Sequence, residues 1–160
     1  MSAFLQQMNR ALAAAEPERI RTAAGCELRV RWWWPSGAPR AGVLMLHGLQ
    51  SNSRWFARSG ARFADEGIAA VALDRPGSGE SEGSAAPRSA PDSRLAAHLP
   101  DPEHFRSGIG EAHALLRARL GRDTPLTLLA NCFGARAAIV ELARHPDRWQ
   151  RALFTSPGTD

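Results

Sequence analysis

A chain of 160 residues with 44% hydrophobic and 22% charged residues is long enough for one domain with a core of its own, and its composition is that of a globular fold. The formal net charge is +4 and all 20 basic residues are Arg, scattered among Asp and Glu; a nucleic-acid groove would gather them into a stripe. The lack of Lys excludes a Schiff-base lysine and the phosphate-gripping lysine of a P-loop.

Two Cys, Cys26 and Cys132, are too few for a disulfide framework and point to a reduced, cytoplasmic setting. No apolar run reaches transmembrane length. Gln6, Gln7, Asn9 and Arg10 break up what would be the apolar heart of a signal peptide. Residues 2–15 predict a short amphipathic helix with Phe4, Leu5, Met8 and Leu12 on one side, ended by Glu16-Pro17. Residues 1–18 are thereby set apart from a domain over 19–160. Residues 19–23 and 27–34 read as a hairpin turning at Ala24-Gly25, with Leu28, Val30, Trp32 and Trp34 alternating. Three Trp in a row suggest a stacking platform for a ligand, but neighbours on a strand face opposite ways, so at least one is packed or lies at the hairpin's edge.

Residues 36–40 form a turn. Gly42-Val43-Leu44-Met45-Leu46 has the character of a central parallel strand and leads into His47-Gly48-Leu49. A helix fits 54–66, stopped by Gly67. A second buried strand over 68–73 ends at Asp74-Arg75-Pro76-Gly77-Ser78-Gly79-Glu80-Ser81. Residues 82–102, rich in Ser, Ala, Pro and Arg, read as a long loop, and a helix follows over 102–120. A strand over 126–130 comes next. From Ala135 the period turns helical (Ala138, Ile139, Leu142, Ala143) until Pro146, and 151–155 starts one more strand. A hairpin followed by strands alternating with helices predicts an α/β fold, a three-layer, mostly parallel sheet.

Between the 126–130 strand and its helix lies Ala130-x-Cys132-x-Gly134. Small residues around a central nucleophile let the backbone turn sharply and lift that side chain out of the sheet, at the positive end of the next helix. This is a nucleophile elbow with cysteine in place of serine and alanine in place of the first glycine. The pentapeptide alone fits a Cys that merely fills a core equally well; its strand–turn–helix setting favours the nucleophile. Gly77-x-Gly79-x-x-x-Gly83 has the glycines of a dinucleotide fingerprint, but that motif must open a helix, and this stretch runs on through Ala85, Pro87 and Pro91.

The order of His47-Gly48 after one strand, Asp74-x-x-Gly77-x-Gly79-x-Ser81 after the next, and then the Cys132 elbow resembles the α/β-hydrolase superfamily. Within it the chain is similar to the serine-aminopeptidase (S33), monoacylglycerol-lipase and lysophospholipase group, over about residues 19–157. The resemblance implies that Cys132 is the nucleophile and that the backbone N–H groups of Leu49 and Phe133 form the oxyanion hole. His47, Gly48, Asp74, Gly77, Gly79 and Gly134 match motif positions that shape the backbone, with His47 structural rather than the general base. It further implies no metal or organic cofactor, and a small-molecule or lipid-like carboxylic ester or thioester as substrate. A thiol suits acyl transfer to another acceptor as well as hydrolysis; dienelactone hydrolases and polyhydroxyalkanoate synthases share the Cys elbow.

In the family's order the acid and the histidine follow the nucleophile. Here only His145 does, and at 1.5 Å per helical residue it lies roughly 20 Å along, too far to be the base. Asp160 matches where some relatives carry their acid, while His98, His104 and His113 all precede the elbow. The expectation is therefore the N-terminal portion of a hydrolase domain, truncated after the strand that follows the nucleophile helix, with the lid and later strands lying beyond. The rival readings are a family member that binds without turnover and a fold completed by a second chain. Without such added strands, the last strand is an apolar edge open to association.

Overall fold

The computed structural model describes residues 2–23, 25–81 and 102–157, with side chains from 105 onward in the last stretch. The loop expected over 82–102 lies outside the described residues except for its last residue, which begins a helix; His98 and Asp160 lie outside them too, and of His104 only the backbone is described. Among the described residues six strands form one sheet: β1 (Glu16–Arg21), β2 (Glu27–Trp33), β3 (Ala41–Leu46), β4 (Ile68–Leu73), β5 (Leu126–Asn131) and β6 (Arg151–Thr155). Their order is β1-β2-β4-β3-β5-β6. The first hairpin and the β2–β4 pair are antiparallel, and the remaining neighbours are parallel. Four helices, α1 (Ala3–Ala13), α2 (Ala57–Asp65), α3 (Pro102–Leu120) and α4 (Phe133–Arg144), cover the sheet.

Strand alternation sorts the core into two layers. On one face Leu44, Leu46, Val71, Leu73 and Leu128 pack against Phe105, Ile109 and Leu116 of α3 and against Ala135 and Ala138 of α4. On the other, Val43, Met45, Ala70 and Ala72 meet Ala11 of α1 and Ala57 of α2. The result is the expected three-layer α/β arrangement. It leaves the C-terminal ends of β3, β4 and β5 side by side, each running into one of the loops singled out above.

The three consecutive tryptophans are spent on packing. Trp33 is buried toward α2, donates from Nε1 to the Ala11 carbonyl at 2.8 Å, and leaves no room for a side chain at Gly60. Trp32 points the other way, stacks on Trp34 at 5.0 Å, and carries the Arg119 guanidinium 4.5 Å over its ring. Two expectations need correction. β1 starts at Glu16, so the division drawn at 18/19 falls inside a strand; Pro17 is tolerated there because an edge strand does not need every N–H. Of the predicted apolar face of α1, Met8 and Leu12 pack on the core, but Phe4 and Leu5 stay exposed, with the Arg58 guanidinium of α2 lying 5.2 Å over the Phe4 ring. Among the described residues no helix is long and apolar enough to cross a membrane.

Candidate active site

Between β5 and α4 the chain turns on Cys132, whose φ of 50° and ψ of −120° lie where a non-glycine residue costs about 1–3 kcal/mol. The surroundings hold it there. The Cys132 N–H donates to the Thr155 carbonyl of β6 at 3.0 Å, and Asn131 donates from its side-chain amide to the Thr155 hydroxyl at 2.9 Å. Behind the turn, Ala135 N–H donates to the Cys132 carbonyl at 2.9 Å. Gly134 allows α4 to begin hard against β3: a Cβ there would lie 2.8 Å from the Leu46 oxygen and 2.9 Å from that of His47. Cys132 is exposed, whereas Cys26 is half-buried.

The loop leaving β3 comes to the same place. A Cβ on Gly48 would stand 3.1 Å from Cys132 Cβ and 3.6 Å from its Sγ, so the missing side chain is what lets this backbone approach the sulfur. His47 is buried below it. Its Nε2 faces the Arg75 N–H at 3.2 Å, and its Nδ1 faces the Gly48 carbonyl at 2.8 Å. Since an amide N–H can only donate, Nε2 accepts and Nδ1 carries the proton, a tautomer assigned from this network. Burial holds the imidazole below its ordinary pKa, against the Gly48 carbonyl and the Asp74 charge, which favour the proton, and with Arg75, which opposes it. Among the described residues every peptide is trans. The Leu49 N–H therefore points opposite to the Gly48 carbonyl that His47 grips.

β4 delivers the third loop, and Asp74 is its organiser. One carboxylate oxygen accepts from Ser53 N–H at 2.5 Å and the other from Glu80 N–H at 2.9 Å. The Asp74 carbonyl accepts from the Ser81 hydroxyl at 2.7 Å, and Ser81 Oγ takes the Arg29 N–H at 2.7 Å. Gly79, at φ 58°, presses on the carboxylate where no Cβ fits, and Gly77 turns the chain at φ 73°. Glu80 sits among Arg29, Arg31 and Arg54. Burial pushes its pKa up, but the Arg54 hydrogen bond and the surrounding Arg charges outweigh that and hold it below the usual range.

Not every candidate gathers at Cys132. His145 follows the far end of the 12-residue α4. His113 lies on α3 with its ring 5.0 Å from Trp149, where burial, helped by Arg148 and Arg117, lowers its pKa. Both ring nitrogens of His47 are engaged. Among the described residues no group of three metal-ligating side chains forms. Two features escaped sequence reasoning: the Asn131–Thr155 contact, which requires knowing that β5 and β6 pair, and Arg75, a charged residue entering the interior just after an apolar strand.

A mostly parallel sheet with an antiparallel leading hairpin, turning at a strained residue into a helix under the loop of the neighbouring strand, defines the α/β-hydrolase fold. Residues 37–160 match the family described as serine aminopeptidase, S33, and the chain belongs to that family. No curated protein matches the sequence. Among solved structures it is similar to a thermostable carboxyl esterase from Bacillus coagulans, with a TM-score of 0.72 and 17% identity over 88% of this chain and 44% of the other. An epoxide hydrolase from Vigna radiata gives a TM-score of 0.68 and 20% identity, over 89% of this chain and 40% of that one. A bacterial membrane phospholipase A gives 0.67 and 21%, over 95% and 43%. At such identities the likeness shows the fold. The chain spans less than half the length of these structures.

Proposed function

We propose that the protein is an acyl-cleaving hydrolase acting on carboxylic esters or thioesters, with Cys132 as nucleophile and the Leu49 and Phe133 N–H groups as oxyanion donors. The observation that carries this reading is the exposed thiol on a strained strand-to-helix turn, with the Gly48 backbone brought against it. Phe133 opens α4, so its N–H has no partner within the helix. The Leu49 N–H is aimed by the carbonyl on the other side of its peptide, which His47 grips.

In this reading the Cys132 thiolate adds to the acyl carbon and the carbonyl electron pair moves onto oxygen, where the two N–H groups hold it. Collapse expels the alkoxide or thiolate and leaves an acyl-cysteine, to be resolved by water or another acceptor. His47 has no free lone pair to act as base, because Nδ1 carries its proton toward the Gly48 carbonyl and Nε2 is taken by the Arg75 N–H. A p-nitrophenyl ester, whose leaving group needs no proton at neutral pH, should give a stoichiometric burst and an acyl group on Cys132. Iodoacetamide at neutral pH should modify the tryptic peptide 123–136, which holds Cys132, well before 22–29, which holds Cys26. Equal, slow labelling of the two would refute the assignment.

A further inference from the structure

Arg75 is a wholly buried guanidinium just after β4, in a family-level motif position where nothing above requires a charge. Its side chain donates through Nη2 to the Leu49 carbonyl. The same guanidinium carbon lies 5.7 Å from the centre of the Phe133 ring, in cation–π range. Its own backbone N–H is the donor that holds His47 Nε2, and His47 in turn holds the Gly48 carbonyl. One residue thus touches both residues proposed as oxyanion donors and the histidine that grips the loop between β3 and Leu49, and none of these contacts uses the Leu49 or Phe133 N–H. The Leu49 residue is pinned at both of its peptides, by His47 on the side carrying its N–H and by Arg75 on the side carrying its carbonyl.

We infer that Arg75 is a positioning residue for acyl transfer, clamping the Leu49 and Phe133 backbones so that their N–H groups converge before substrate arrives. This rests on the reading of Cys132 as the nucleophile. Burying a guanidinium is costly unless it is well bonded, and burial here pulls its pKa below the usual guanidinium value. Leu and Met would fill the same space without that cost. A planar cation that both donates a hydrogen bond and stacks on a ring joins two segments as no aliphatic side chain does.

The test compares two reactions of one sulfur in the full-length protein. Attack on a p-nitrophenyl ester forms a C–S bond, places charge on the carbonyl oxygen and then expels p-nitrophenolate, so it draws on the oxyanion donors. Attack on iodoacetamide forms a C–S bond and expels iodide, with no oxyanion. Both need the thiolate, so the ratio of acylation to alkylation rates, read by mass on peptide 123–136, cancels any change in thiol ionisation. Arg75→Met is expected to lower that ratio roughly tenfold or more, bounded by the 10²–10³ lost when a donor is removed outright. Arg75→Gln, which keeps a neutral donor for the Leu49 carbonyl, is expected to fall between Met and the parent. An unchanged ratio in either variant that still melts cooperatively overturns the positioning role. If in the parent Cys132 alkylates no faster than Cys26, it is the nucleophile assignment that fails, and the role of Arg75 falls with it.

Discussion

Replacing Gly134 with Ala tests how tightly the turn on Cys132 is built. The added Cβ would meet three backbone atoms of the β3 terminus, Leu46 O at 2.8 Å, His47 O at 2.9 Å and Leu46 C at 3.0 Å. These fall about 0.5 Å short of ordinary contact, and because backbone rather than a flexible side chain is in the way, relief requires the first turn of α4 to lift off the sheet. Overpacking of this kind costs about 1–3 kcal/mol. Alanine returns at most about 1 kcal/mol of helix propensity, and less at the second residue of a helix than in its interior. The net expectation is a loss of roughly 1–2 kcal/mol, a fall of about 3–6 °C in Tm for a chain of this size. Gly110→Ala is the matched control. It lies within α3, its nearest neighbour would be Arg148 Nη1 at 3.8 Å, and it should gain up to about 1 kcal/mol from propensity alone. Thermal melts of both variants decide the matter. Gly134→Ala melting at or above the parent would show that α4 is not seated on the β3 carbonyls.

Two further outcomes follow from polar groups that bond to the backbone. His47 resists in the folded state a proton that the unfolded chain accepts near its ordinary pKa of about 6.5, so stability is fully present above that pH and declines as pH falls below it. His113 is shifted the same way, so the His47 share is the difference between parent and His47→Gln in urea midpoints from about pH 7.5 to about pH 5.5, and the variant should show the flatter slope. Arg117 donates to the Thr124 carbonyl at 2.7 Å and to that of Arg122 at 3.0 Å, fixing the approach to β5. Arg117→Ala should lower stability by about 1–2 kcal/mol in urea titration, with Arg117→Lys recovering part of it.

The elements were legible where burial on both faces wrote one unbroken signal. The runs at 42–46, 68–73 and 126–130 became β3, β4 and β5 within a residue, because a central parallel strand has no solvent face to interrupt its apolar side chains. β1 was less legible because its residues EPERIR bury little and include a Pro; only its pairing with β2 makes it a strand. At the site, the turn on Cys132 could be read from the small residues flanking a cysteine between a strand and a helix, a matter of local backbone geometry. What could not be read was which distant groups meet it. Arg75 reaching the Leu49 carbonyl, Asp74 taking the Ser53 N–H and Asn131 meeting Thr155 all join loops brought together by the strand order. That order is a tertiary fact with no periodicity to announce it.

Thr155 gives the sheet's rim a hold on the Cys132 turn. It closes β6, one of the two edge strands among the described residues, where Leu153 and Phe154 are 50% and 40% exposed, and it anchors both Asn131 and the Cys132 amide. The turn that carries the sulfur is consequently held from the periphery of the fold as well as from β3 at its centre. A polypeptide that zips onto that outer margin would stiffen the bend through two bonds, and fraying there would loosen it by the same route, with no contact to the thiol in either case.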